Sequence, residues 1–145
     1  MSDVGLTATQ VFRSWFERVW NQKDASAMQD LFHEDGVAHG LGPEPIRGPE
    51  GFRAVWEAFQ TTFDDIRIEV LDTLELGDRV YGRCRAVGSA GGKPVSFEGG
   101  ALCTVRDGKL FEAHNCWDFL GAMVRSGSLP EDAFLRSCTG ERFAS

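Results

Sequence analysis

Apolar positions recur at two different spacings along this chain, near four residues in the first half and two in much of the second. Phe12, Trp15, Phe16, Val19 and Trp20 fall three and four apart, which predicts one face of a helix from about Thr7 to Gln22, with Thr7 or Thr9 as its cap. Met28, Leu31 and Phe32 supply the stripe of a shorter helix, with Asp24 as a candidate N-cap. His33 to Gly36 reads as a turn and Val37 to Gly40 as a short extended segment. Leu41 to Gly48 holds two prolines and two glycines and reads as a loop. Pro49 suits the first turn of a third helix, which runs to about Thr62 with Phe52, Val55, Trp56, Phe59 and Phe63 on one side.

The period then changes. Ile66, Ile68 and Val70 alternate with Arg67 and Glu69, as in a half-buried strand. Leu71, Leu74 and Leu76 break that phase, which predicts a bulge near Asp72. Gly77–Asp78, Gly91–Gly92 and Asp107–Gly108 mark turns between strands at Arg79–Gly88, Pro94–Arg106 and Lys109–Phe119. Gly99–Gly100 reads as a kink in the strand Pro94–Arg106. Weak helical turns follow at Ala122–Arg125 and Glu131–Cys138. Helices followed by a meander of strands imply an α+β domain, its helices on one face of an antiparallel sheet.

Composition narrows the function. A chain of 145 residues suits one domain, residues 1–145, with a sizeable core. The net charge of −7 disfavours nucleic acid and anionic membranes as partners. No apolar run approaches the length of a membrane span, and Met1 to Leu6 shows no signal-peptide pattern. Cys84, Cys103, Cys116 and Cys138 form no CxxC motif, so free thiols in a reducing cytoplasm are expected, with no metal and no cofactor.

The last strand carries the densest chemistry. Strict alternation from Lys109 puts Leu110, Glu112, His114, Cys116 and Asp118 on one face, and Phe111, Ala113, Asn115 and Trp117 on the other. If the first face meets an apolar pocket, a carboxylate and an imidazole there suit general acid–base work. If it meets water, the same residues are an ordinary solvated face. His39 sits beside the Gly/Pro loop, a common place for functional residues. Arg83 and Arg85 are candidates for binding an oxygen or a carboxylate, or are exposed sheet arginines. Trp15, Trp56 and Trp117 are candidate pocket walls.

Several segments together resemble a known family. Val19-Trp20-Asn21-Gln22-Lys23-Asp24 resembles the VWNxxD opening of SnoaL-like proteins, in the nuclear-transport-factor-2-like, or ketosteroid-isomerase-like, superfamily. Val37-Ala38-His39-Gly40 and Gly48-Pro49-Glu50-Gly51-Phe52 are similar to its HG and GPEGF segments. Asp107-Gly108-Lys109, Glu112 and Trp117-Asp118-Phe119-Leu120-Gly121 are similar to DGKxxExxxxWDxLG. The likeness spans roughly residues 9 to 125. It implies a cone-shaped barrel of three N-terminal helices on a strongly curved mixed or antiparallel sheet, with a deep apolar cavity and pairing into homodimers. It implies that a small, mostly apolar oxygenated ligand is bound, and that Asp118 works as general acid/base in a cofactor-free cyclase, isomerase or lyase. On this reading His39 and His114 are catalytic partners, and Glu112 and Arg85 contact the ligand beside the tryptophans. The likeness also turns the Glu112–His114–Asp118 face toward the cavity. Two departures stand against a simple transfer. Many relatives carry Trp at the position of His114, and a GxHxG after the second strand where this chain reads Gly88-Ser89-Ala90-Gly91. The superfamily also contains epoxide hydrolases with an Asp–Arg–Asp arrangement, steroid isomerases, dehydratases and members with no known catalysis.

Overall fold

The structure is a computed structural model that describes residues 5–143. Met1–Val4 of the stretch read for a signal peptide, and the last two residues of the tail, lie outside the described residues.

The first helix is built as its pattern predicts. α1 (Ala8–Ser14) starts on a capping box: Thr7 Oγ1 accepts from Gln10 N–H at 3.1 Å, and Gln10 Oε1 accepts from Thr7 N–H at 2.9 Å. It then continues as a π-helical segment, Trp15–Asn21. This wider coil lets Trp15, Phe16, Val19 and Trp20 all be buried. At its end the Asn21 side chain stands in for a strand neighbour, donating to Ile68 C=O at 2.9 Å and accepting from Ile68 N–H at 2.7 Å. Asp24 does not cap α2 (Ala27–Leu31) directly. It accepts from Ser26 N–H and Ser26 Oγ–H in the turn just ahead of it.

Six strands form one sheet: β1 (Phe32–His39), β2 (Ile46–Arg47), β3 (Asp64–Leu76), β4 (Arg79–Ala90), β5 (Lys93–Arg106) and β6 (Lys109–Trp117). Their order is β2-β1-β6-β5-β4-β3, so the sheet is open, with β2 and β3 as its edges, and the expected barrel does not close. β1 runs parallel to β6 and every other pair is antiparallel. The segment read as a turn at His33–Gly36 is a wide irregularity inside β1, between the pairs Phe32↔Leu110 and Val37↔Glu112. The predicted bulge in β3 is present, with Leu71 unpaired between Val70↔Cys84 and Asp72↔Arg83. β5 carries Gly99 and Gly100 as one continuous strand.

α3 (Gly48–Thr62) carries Pro49 in its first turn, as predicted, and together with α1 covers the inner face of the sheet. The core on that face is aromatic. Phe52 meets Trp15 edge-on at 4.9 Å between centroids, Trp20 at 6.2 Å and Phe32 at 5.7 Å. Such pairs contribute about 0.5–1.5 kcal/mol each beyond the area they bury. Gly82 is required here, because a Cβ at that position would overlap the Phe12 ring. α4 (Phe119–Arg125) and α5 (Ala133–Cys138) make up the tail. No helix among the described residues is long and apolar enough to cross a membrane.

Candidate functional site

The helices and the inner sheet face enclose a cavity of about 40 Å³. Trp15, Phe16 and Trp20 line it from the π-helical segment, and Phe52 and Phe59 from α3. Ile66, Ile68, Ala86 and Phe97 supply the sheet wall, and Leu41, Asn115, Trp117 and Phe119 complete it. A second void of about 20 Å³ shares Trp15, Phe16 and Asn115 with the first. The larger space holds about three waters. Pockets for drug-sized ligands are nearer 300–1,000 Å³, so an entering molecule must displace side chains. Leu41, Phe59, Trp117 and Phe119 are only partly buried, and they are the walls best placed to move. Phe59 already bridges the helical and sheet sides, at 5.5 Å from Trp20 and 5.9 Å from Phe119.

The lining from β6 is the face opposite to the one expected. The pairs Thr104↔Glu112 and Val105↔Leu110 leave Phe111 as an extra residue, a β-bulge. Leu110 and Ala113 therefore both point inward, followed by Asn115 and Trp117, while Glu112, His114 and Cys116 point outward. Strict alternation fails at that one residue. Phe111 is held in place by the guanidinium of Arg106, 3.8 Å from its ring centroid, and by the edge-on His33 ring.

Asn115 is the polar centre of the cavity. Its Nδ2 donates to the His39 carbonyl at 3.1 Å, and its Oδ1 accepts from the Trp117 indole N–H at 3.1 Å. Gly40 makes this crossing possible. It adopts φ +89°, and a Cβ there would collide with the Asn115 carbonyl. Alternation grouped Asn115 with Ala113 and Trp117, as found, and the Phe111 bulge brings Leu110 to their side; it is the family resemblance that turned the opposite face toward the cavity.

The other candidates are dispersed. Trp15 and Trp117 line the cavity as expected. Trp56 does not; its indole N–H donates to the Val19 carbonyl at 2.9 Å. His39, Glu112 and His114 come together, but on the outer face. The His39 and His114 rings stack at 4.7 Å, and Glu112 Oε2 lies 3.7 Å from one Nε2 and 3.6 Å from the other. Asp118 is about half exposed and starts α4, its Oδ1 accepting from Gly121 N–H at 2.9 Å. Its other oxygen pairs with Arg125 at 3.5 Å. Arg83 bridges Asp72 and Glu98, and Arg85 bridges Glu69 and Glu98, so each arginine has two carboxylates. These bridges also lie on the exposed face, outside the cavity. Arg85, Ser96, Phe97, Glu98, Asp118 and Arg125 line an open groove of about 320 Å³ there.

The cysteines divide in the same way. Cys84 and Cys103 are buried, and burial pushes each thiol up to about 12. Cys116 and Cys138 are exposed free thiols.

The sequence profile of the family described as "SnoaL-like domain" matches residues 12–113. No curated protein matches the chain. Among solved structures, IdmH from Streptomyces antibioticus, a proposed polyketide cyclase, is 25% identical, with a TM-score of 0.75 over 84% of this chain and 99% of that one. A proposed SnoaL-like polyketide cyclase from Jannaschia sp. CCS1 is 18% identical, with a TM-score of 0.76 over 90% of this chain and 98% of that one. A protein of ketosteroid isomerase-like fold from Catenulispora acidiphila, solved with trimethylamine, is 19% identical, with a TM-score of 0.74 over 88% and 98%. The cone of helices on a curved sheet, the aromatic cavity between them and the match over most of the chain's length agree: this chain belongs to the SnoaL-like family.

Proposed function

We propose that the chain binds a small, flat, mostly apolar molecule in the aromatic cavity, with Asn115 as its polar contact, and that it works as a binding module. One observation carries this reading: among the described residues, no ionisable side chain lines the cavity. Binding would rest on apolar burial and ring stacking, with one amide to orient an oxygen. Asp118 is engaged as a helix cap, which is a structural use of its carboxylate. The test is titration with 2-naphthol, followed by the fluorescence of the cavity tryptophans. Saturable quenching that is weakened in Asn115→Leu supports the reading. Quenching that does not saturate overturns it.

A second reading keeps acid–base chemistry of the cyclase, isomerase or lyase type, with Asp118 as the proton carrier. Phe97 supports it, because it lines both the cavity and the groove that holds Asp118 and Arg85. A ligand pushing past Phe97 and Phe119 would reach that carboxylate. Proton exchange at the α-carbon of a ketone bound in the cavity, lost in Asp118→Asn, would favour this second reading.

Pairing of two copies through the outer face belongs to the same proposal. Leu74 and Leu76 are 75% and 85% exposed there, beside Tyr81, and sedimentation of the wild type against Leu76→Lys tests it.

A further inference from the structure

Three donor groups converge on the outer face, away from the cavity. β1 and β6 are parallel neighbours, and their register sets His39 beside His114 and Val37 beside Glu112. His39 and His114 thus share one row, and Glu112 points out of the same face two residues earlier on β6. The end of β1 is fixed there, because Asn115 Nδ2 holds the His39 carbonyl at 3.1 Å.

The spacing is informative. Glu112 Oε2 lies 3.7 Å from His39 Nε2 and 3.6 Å from His114 Nε2. Both distances exceed hydrogen-bond range, so neither imidazole is tied to the carboxylate. One ligand atom from each residue lies within 4.8 Å of the other two. A zinc ion bonded at about 2.0–2.2 Å sets tetrahedral donor atoms about 3.3–3.5 Å apart. Glu112 therefore needs to close on each imidazole by only a few tenths of an ångström, while the two stacked imidazoles must turn out of their stack to aim both Nε2 lone pairs at a common centre. No ion pair to Lys or Arg competes for Glu112 among the described residues. With neutral imidazoles the carboxylate supplies one negative charge, which favours a cation.

We propose that His39, Glu112 and His114 form a two-histidine, one-carboxylate site for a divalent transition-metal cation on the outer face of the sheet. Two imidazoles and one carboxylate suit zinc or a similar borderline cation and discriminate against calcium and magnesium, which prefer all-oxygen ligands. Three protein ligands on an exposed strand pair leave at least one coordination position open to water or to a small oxygen ligand. The sequence reading expected no metal, because spacing along the chain cannot register a ligand set made by strands that pair across 72 intervening residues (between His39 and Glu112). The site does not depend on what the cavity binds.

Calorimetric titration of the full chain with zinc chloride, in a non-chelating buffer, tests the proposal. One equivalent per chain is expected. Glu112→Gln, which keeps the side chain's shape, should weaken binding by about tenfold or more. His39→Ala should abolish it. His33→Ala, which removes the remaining histidine, and Cys116→Ser, which removes the next donor on the same face, should leave it intact. Zinc should raise the melting midpoint of the wild type, less that of Glu112→Gln, and not that of His39→Ala, while circular dichroism of the metal-free variants confirms that they fold. Absence of a saturable equivalent, half an equivalent per chain, binding that survives His39→Ala, or loss in His33→Ala or Cys116→Ser would each overturn the assignment.

Discussion

The two faces of β6 are made from alternating residues of one strand, yet they have opposite characters. Inward, Asn115 and Trp117 meet a wall of rings and a cavity of about 40 Å³, and Leu110 and Ala113 line the smaller void beside it. Outward, Glu112, His114 and Cys116 meet solvent, with Asp118 just beyond them at the start of α4. The residues richest in chemistry are thus separated by the thickness of the sheet from the space that suits a ligand. The difference teaches that in this fold a single bulged residue, Phe111, decides which chemistry a cavity receives.

The largest expected effect is on the inner side. Phe52→Ala removes a ring packed on Trp15, Trp20 and Phe32 and should cost about 3–5 kcal/mol in denaturant unfolding. His114→Ala on the outer face, in metal-free buffer, should stay within about 0.5 kcal/mol, and a comparable loss there would break the comparison.

Filling the cavity sharpens it further. Ala86 lines the cavity and is fully buried, so Ala86→Val should occupy the free space. Response to 2-naphthol should be lost while stability changes by about 1 kcal/mol or less. Retained binding would move the ligand elsewhere.

Thiol reactivity separates the faces without any mutation. With Cys84 and Cys103 held protonated by burial, a disulfide reagent at pH 8 should titrate two thiols in the folded chain and four in denaturant. The linked pH effect has a defined sign. Both thiols are raised from 9.0 to about 12, so the unfolded chain loses their protons first. Their contribution to stability is complete below about pH 9 and is lost progressively as the pH rises toward 12, which thermal melts across that range would detect.

The smallest effects concern Asp118. Asp118→Ala should cost about 1 kcal/mol through loss of the α4 cap, and Asp118→Asn only a few tenths, since Asn also caps. Stability measurements on the pair therefore keep the asparagine variant clean for the test of catalysis.

Much of the fold was legible because it is written in local periodicity. The ring spacing from Phe12 to Trp20 gave the first helix, Pro49 the start of α3, and the phase slip after Val70 the bulge at Leu71. The parallel pairing of β1 with β6 was not legible, because a contact between His39 and His114 leaves no trace in spacing along the chain. Nor was the site. Phe111 looks like any apolar strand residue, and its role as the extra one depends on Arg106 and His33, which fold against it. Strict alternation grouped Asn115 with Ala113 and Trp117 and left open which face is wet. The family likeness turned Glu112 and His114 inward, since motifs transfer residue types and not the faces they end on. Trp56 has the helical spacing of a cavity wall, yet it lies outside the lining and its indole N–H donates to Val19 C=O.

The central claim is that the ligand space and the polar face of β6 are separate. Intermolecular nuclear Overhauser effects between 2-naphthol and the ring protons of the bound protein test it most directly. The account predicts contacts to Trp117, Phe97 and Phe59, and none to His39 or His114. Contacts to the two histidines, with none to the cavity rings, would contradict it.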